Sequence, residues 1–94
     1  MKELFSTRRE IISDDGRQYK LNYHLIAEDV SGNDGELVFK NYGIAICMES
    51  EGKEEKLEVP NITVDALRIQ ELLVLLSENL VMPVSAFDVI EDWL

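Results

Sequence analysis

The chain is poor in the residues that most often form catalytic and metal sites. It has one cysteine, Cys47, and one histidine, His24, whereas a zinc site needs several such ligands at short spacing. One cysteine also excludes a disulfide within the chain, which is typical of proteins in a reducing compartment. No glycine-rich loop joins a strand to a helix, as phosphate-binding cofactor sites require. We therefore expect no metal, no cofactor and a cytoplasmic location.

Basic residues and long apolar runs are scarce as well. Nine lysines and arginines stand against 19 aspartates and glutamates, which gives a formal net charge of -10. Phosphate backbones and anionic lipid headgroups repel such a chain, so we expect no direct binding of nucleic acid. Nowhere are there enough consecutive apolar residues for a transmembrane helix, and we expect no membrane association.

The chain has the composition of an ordinary globular domain. It is 46% hydrophobic and 30% charged over 94 residues, well away from the composition of disordered chains. The length suits one core. We expect a single domain over residues 1–94, with a β-meander in 1–62 and two helices in 63–94.

Two segments alternate apolar and polar side chains and predict a β-hairpin. Residues 19–27 and 42–48 both have period two, and turn-forming residues occupy 31–35 between them. Closure about Asn33 and Asp34 would put both apolar sets on one face. The opposed pairs would then be Tyr19 with Met48, Leu21 with Ile46, Tyr23 with Ile44, and Leu25 with Tyr42.

Two outer strands and two helices complete the predicted fold. Residues 4–13 form an edge strand joined through the Asp-Gly turn at 14–17, and a fourth strand ends at Pro60. From Thr63 the period becomes helical, with Thr63 or Asp65 as the cap. Ser85 would start a second helix. The sequence predicts an α+β fold, a four-stranded antiparallel meander followed by two C-terminal helices packed on one face.

The first of these helices is apolar over more than half of its circumference. Its main stripe would lie on the sheet, and further apolar residues widen that stripe, so the helix is either well buried or shared with a partner. The stripe consists of Ile69, Leu72, Leu73, Leu76 and Leu80, and the residues that widen it are Leu67, Val74 and Leu75.

The candidate catalytic and metal-binding residues do not have the spacing that such sites require. In the predicted register His24 lies opposite Gly43, about 13 Å along the strand from Cys47, which is too far for a nucleophile and its base. The segment that starts at Asp29 resembles a calcium loop, but Asp34 and Lys40 stand where glycine and glutamate are needed. Adjacent carboxylates are better explained as solvated charge. We predict no catalytic residue.

Two regions are candidates for contact with a partner. One sheet face carries small side chains that would allow another backbone to approach closely, although an ordinary exposed sheet face is the favoured explanation. The acidic terminal helix ends in a tryptophan, which could dock on a partner or on its own core. With the outer apolar residues of the first helix, the candidate surface comprises Gly43, Ala45, Cys47, Leu67, Val74, Leu75 and Trp93.

The second half of the chain resembles a family of short proteins that carry a domain of unknown function, from Gram-positive anaerobic bacteria. The resemblance is carried by YGIAI at 42–46, ELLVLL at 71–76, Asn79, VMPV at 81–84 and FDVIEDWL at 87–94. It implies a bacterial cytoplasmic origin and no particular catalytic or binding residue.

Three classes of function are compatible with these features. The first is a non-enzymatic interaction or regulatory module, which binds a protein partner or itself as a homodimer through its acidic or apolar surfaces. The second is an acidic inhibitor that mimics nucleic-acid phosphates and occupies the groove of a basic protein. The third, a small enzyme, lacks a nucleophile, metal cluster or cofactor loop to support it.

Overall fold

The fold is a four-stranded antiparallel sheet covered on one face by two helices, which confirms the predicted α+β architecture. The computed structural model describes residues 2–31 and 37–94. Neighbours in sequence pair in the order β1-β2-β3-β4. The elements are β1 (Lys2–Ile12), β2 (Gln18–Ser31), β3 (Leu37–Ser50), β4 (Lys53–Thr63), α1 (Ala66–Glu78) and α2 (Pro83–Trp93).

The central hairpin of β2 and β3 has the predicted faces but a different register. Leu21 lies opposite Met48, and Leu25 lies opposite Ile44, so the pairing is shifted by two residues from the prediction. A shift of two keeps each side chain on its own face. Of the predicted turn at 31–35, Ser31 is instead the last residue of β2, and residues 32–35 lie outside the described residues.

Strand β4 continues past Pro60 and does not end there, contrary to the prediction. Ile44 pairs with Val59 and Tyr42 pairs with Thr63, so residues 60–62 form a bulge opposite Gly43. Asn61 has φ = 59° within this bulge. A bulge tolerates proline because the residue there needs no N–H for the ladder.

The core lies between the sheet and the helices. Asp65 caps α1, because its carboxylate accepts hydrogen bonds from the backbone N–H groups of Leu67 (2.9 Å) and Arg68 (3.2 Å). The side chains that form the core are Leu21, Tyr23, Leu25, Ile44, Ile46, Ile69, Leu72, Leu73, Leu76, Ala86 and Ile90.

The link between the helices differs from the prediction in two ways. Leu80 was expected in the buried stripe, but it is 39% exposed and has φ = 52°. The following helix begins at Pro83, with Met82 as its N-cap, and not at Ser85. Proline suits the first helical position because its fixed φ is already helical, and here Pro83 is also buried.

Candidate functional site

The outward side of α1 carries apolar side chains that do not reach the core. Leu67 is 67% exposed, Val74 is 50% exposed and Leu75 is 38% exposed. Leu67 and Val74 are seven residues apart, which is close to two helical turns, so they lie on the same side of the helix. The helix therefore has two apolar faces, and only one of them is covered by the sheet.

A groove of about 400 Å³ lies between α1 and the sheet, and Val74 lies at its margin. Its walls are mostly apolar, and it is open to solvent. Among the residues whose side chains the structure describes, Leu25 and Tyr42 line it from the sheet, and Ala66, Ile69, Gln70, Leu73 and Val74 line it from the helix.

A second, shallower hollow continues the groove onto the outer surface of α1. It is lined by Leu67, Gln70, Glu71 and Val74. Because Gln70 and Val74 line both depressions, the two form one continuous surface. We call this surface the α1 groove.

The charge beside the α1 groove is negative. Glu71 lines the hollow itself, and Glu78 lies one position further along the same side, since positions 67, 71, 74 and 78 are spaced by three or four residues. Residues 65–94 carry six carboxylates and one basic side chain, Arg68. The Arg68 guanidinium lies over the ring of Trp93, 4.3 Å from its centroid, a cation–π distance.

Trp93 therefore belongs to the domain's own packing. Its side chain is partly buried against the core cluster, and its outer ring face is covered by Arg68. The sequence left open whether Trp93 docks on its own core or on a partner, and the structure places it on its own core. It is separate from the α1 groove, which it does not line.

Gly43, Ala45 and Cys47 lie on the sheet face opposite the helices, so they do not join Leu67, Val74 and Leu75 in one surface. A side-chain carbon on Gly43 would lie 2.7 Å from Cα of Pro60 and would also clash with the carbonyl oxygen of Val59. The close backbone approach predicted at Gly43 is thus made by the chain's own β4. Ala45 is only 6% exposed.

The register brings His24 and Cys47 closer than predicted, but Cys47 is poorly suited to be a nucleophile. His24 pairs with Ala45, not with Gly43, so the predicted pairing was wrong, and Cys47 is its diagonal neighbour. The Cys47 thiol donates a hydrogen bond to Oε1 of Glu54 at 3.2 Å. Burial, with that bond and the charge of Glu54, raises the pKa of the thiol. A raised pKa keeps the sulfur protonated and weakly nucleophilic at neutral pH.

Another depression lies between the β1–β2 and β3–β4 turns and was not foreseen from the sequence. It measures about 530 Å³ and carries charges of both signs, including Lys20, Glu49 and Lys53. Its Arg17 is held between Asp15, at 3.3 Å, and Glu51, at 3.5 Å. The Asp-Gly and Glu-Gly turn sequences predict both turns, but the strand lengths that bring them together are set only by the fold.

Two further properties concern the part of the chain that the structure describes. No group of three or more histidine, cysteine, aspartate or glutamate side chains is placed to hold a metal ion there. Neither helix combines the length and the apolar character that are needed to cross a membrane.

These features define a class of protein: a small α+β domain in which a helix packs on a β-meander and leaves its other apolar side exposed to solvent. Within that class, the chain belongs to a family of unknown function, DUF6514, which matches it over residues 1–94. No curated protein and no solved structure matches the chain.

Proposed function

We propose that the protein is a non-enzymatic binding module that recognises another protein through the α1 groove. One observation carries the proposal: Leu67 and Val74 are 67% and 50% exposed beside an apolar groove of about 400 Å³. Single exposed apolar residues are common on protein surfaces, but apolar side chains grouped beside a concave surface are typical of binding sites.

The anatomy of the α1 groove supports this role. Its floor is formed by Leu25 and Tyr42, and both belong to the two central strands of the sheet, β2 and β3. A site on regular elements presents its contacts in a fixed arrangement, which lowers the entropy lost on binding. The buried side of the same helix anchors it to the sheet through Ile69 and Leu73.

The chemistry of the sheet face opposite the helices favours binding over catalysis. Its most reactive side chain, Cys47, donates a hydrogen bond to Glu54 and has a raised pKa. A catalytic cysteine needs the opposite shift, because the thiolate is the attacking species. We therefore place the function on α1 and not on this face. Cytoplasmic location in a bacterium is part of the proposal.

A selection from a random peptide library tests the proposed function. The bait is the intact protein, and the counter-bait carries Leu67→Lys and Val74→Lys. We expect peptides that bind the wild type and lose binding to this variant. A matched control carries Val84→Lys and Phe87→Lys, since these α2 residues are also exposed, at 81% and 53%. Peptides whose binding is unchanged by the α1 substitutions, or a selection that enriches no peptide, would count against the proposed binding function.

Mimicry of nucleic acid is the second candidate. It is favoured by the six carboxylates in residues 65–94, of which Glu71, Glu78, Asp88, Glu91 and Asp92 are exposed helix residues. Mimicry depends on charge alone, so binding to a basic protein should survive Leu67→Lys with Val74→Lys better than it survives removal of these carboxylates. The groove proposal requires the reverse order.

A further inference from the structure

We infer that the natural occupant of the α1 groove is a basic amphipathic helix of another protein, an inference that rests on the proposed function and names the partner class. The helix would place apolar side chains against Leu67, Val74 and the groove floor. Its lysines or arginines would pair with Glu71 and Glu78. The shape of the groove, its charge and the repulsion between two copies of this chain support this occupant.

The shape of the α1 groove suits a helix. The lining residues of α1 run from Ala66 to Val74, eight steps along the axis and therefore about 12 Å at the rise of an α-helix. That length accommodates two turns of a partner helix, which would present apolar anchors at i, i+3 or i+4, and i+7. Leu67 and Val74, which are themselves two turns apart, form the ridge beside these anchors.

The negative charge beside the α1 groove favours a partner with positive charge. Exposed positions along this side of α1 read Leu67, Glu71, Val74 and Glu78, so apolar and acidic side chains alternate. The one basic residue of the helical layer, Arg68, is stacked over Trp93. Lysines and arginines at the edge of a partner helix would therefore meet the carboxylates of Glu71 and Glu78.

The same charge disfavours a second copy of this chain as the occupant. Two copies would bring two acidic α1 surfaces together, each on a protein with a net charge of -10. Like charges placed opposite one another at an interface are repulsive, and burial strengthens the repulsion because screening by solvent is lost. Charge complementarity thus favours a basic partner over self-association.

The probe for this inference is a synthetic helix of defined sequence. It has about 18 residues, enough to form a stable helix when bound, with leucines at i, i+4 and i+7 and lysines on both flanks. Two companion peptides replace every lysine with glutamine or with glutamate. Binding to the intact protein is measured by fluorescence anisotropy at about 50 mM salt, where screening is weak, and at about 300 mM salt, where screening is strong.

We expect the lysine peptide to bind at least about tenfold more tightly than the glutamine peptide, and the glutamate peptide to bind weakest. The preference should shrink at high salt. Glu71→Lys with Glu78→Lys should invert the order of the lysine and glutamate peptides. The matched control, Glu58→Lys with Glu91→Lys, makes the same change in net charge at exposed positions outside the groove and should keep the wild-type order.

The apolar contribution to binding is tested with the double variant Leu67→Lys, Val74→Lys. Because both residues are proposed as central contacts, the substitutions should weaken the binding of the lysine peptide about 30-fold. Circular dichroism and the urea midpoint show that each variant is folded.

If all three peptides bind equally and the binding depends on Leu67 and Val74, the inference is overturned and the proposed function stands. If no peptide binds in a way that depends on these residues, both are overturned. A concentration-dependent dimer that Leu67→Lys disrupts would also overturn the inference, because a second copy would then be the occupant.

Discussion

Leu80 shows how a single residue can hold backbone strain at a helix end. It follows α1 with φ = 52°, and its N–H donates to the Ser77 carbonyl at 3.3 Å, while the N–H of Val81 donates to the Leu76 carbonyl at 3.0 Å. These two bonds form a Schellman motif, in which glycine is the usual residue at the left-handed position. A leucine there brings Cβ too close to the following carbonyl oxygen.

Replacement of Leu80 with glycine should therefore relieve this strain. Leu80→Gly and Leu80→Ala both remove the half-exposed side chain, but only glycine relieves the left-handed strain. We expect the glycine variant to be more stable than the alanine variant by about 1 kcal/mol, measured by urea unfolding. Equal midpoints for the two variants would show that no strain is stored at this position.

Tyr23 connects the sheet to the link between the helices. Its side chain is fully buried, and its hydroxyl donates a hydrogen bond to the carbonyl oxygen of Val81 at 2.9 Å. Burial raises the pKa of Tyr23 to about 12 from its ordinary value of 10.0. The folded protein thus keeps a proton that the unfolded chain releases between these two values.

This shift predicts a dependence of stability on pH. The stabilisation by neutral Tyr23 is fully present below pH 10 and is lost as the pH rises towards 12. Tyr23→Phe should cost about 1 kcal/mol at neutral pH through the lost hydrogen bond, and its free energy of unfolding should fall less steeply above pH 10 than that of the wild type. Parallel curves of unfolding free energy against pH would contradict the assignment.

At the scale of elements, α1 has two apolar sides with different roles. Leu72 is fully buried, whereas Leu67 is 67% exposed. Leu72→Ala should destabilise the fold by about 2–5 kcal/mol through the cavity that it leaves. Leu67→Ala should change stability by less than about 0.5 kcal/mol. Urea unfolding of the two variants checks this, and comparable losses would mean that the outer side of α1 is part of the core.

The strand alternation predicted which side chains face the helices, but not the register. Leu21, Tyr23 and Leu25 keep their predicted face because alternation repeats every two residues. For the same reason, alternation cannot distinguish the observed pairing from one shifted by two. The start of α2 was misjudged because Ser85 and Asp88 resemble a capping box, whereas Pro83 begins the helix two residues earlier.

The candidate site was predictable only in part. The helical period identified Leu67, Val74 and Leu75 as extra apolar residues, but whether they are covered depends on how many layers pack on α1. The groove floor of Leu25 and Tyr42 follows from the position of the helix across the sheet, and no sequence pattern fixes that position. The small residue at Gly43 did indicate a close approach, which comes from β4 of the same chain.

At the scale of the whole molecule, charge is the dominant property. The net charge is -10, and the ion pairs among the described residues, such as Arg8 with Glu10 at 3.7 Å and Lys40 with Asp29 at 3.8 Å, are largely exposed. Exposed pairs contribute little to stability. We therefore expect repulsion between carboxylates to outweigh attraction, so that salt screens a net unfavourable interaction.

We expect the melting temperature to rise by roughly 2–5 °C between low and moderate potassium chloride concentrations. The Glu58→Lys, Glu91→Lys variant has less charge to screen, so its melting temperature should rise less. Thermal unfolding followed by circular dichroism measures both. A melting temperature that falls with added salt would mean that the surface ion pairs stabilise the fold more than the carboxylates destabilise it.

Whether the protein binds a partner through the α1 groove is measured by chemical-shift mapping. The lysine peptide is added to isotope-labelled protein, and backbone amide shifts are followed during titration. Binding through the α1 groove should give the largest changes at Leu67, Gln70, Glu71 and Val74 on α1 and at Leu25 and Tyr42 on the sheet. Changes centred on Ala45 and Cys47, or no changes at saturating peptide, would contradict it.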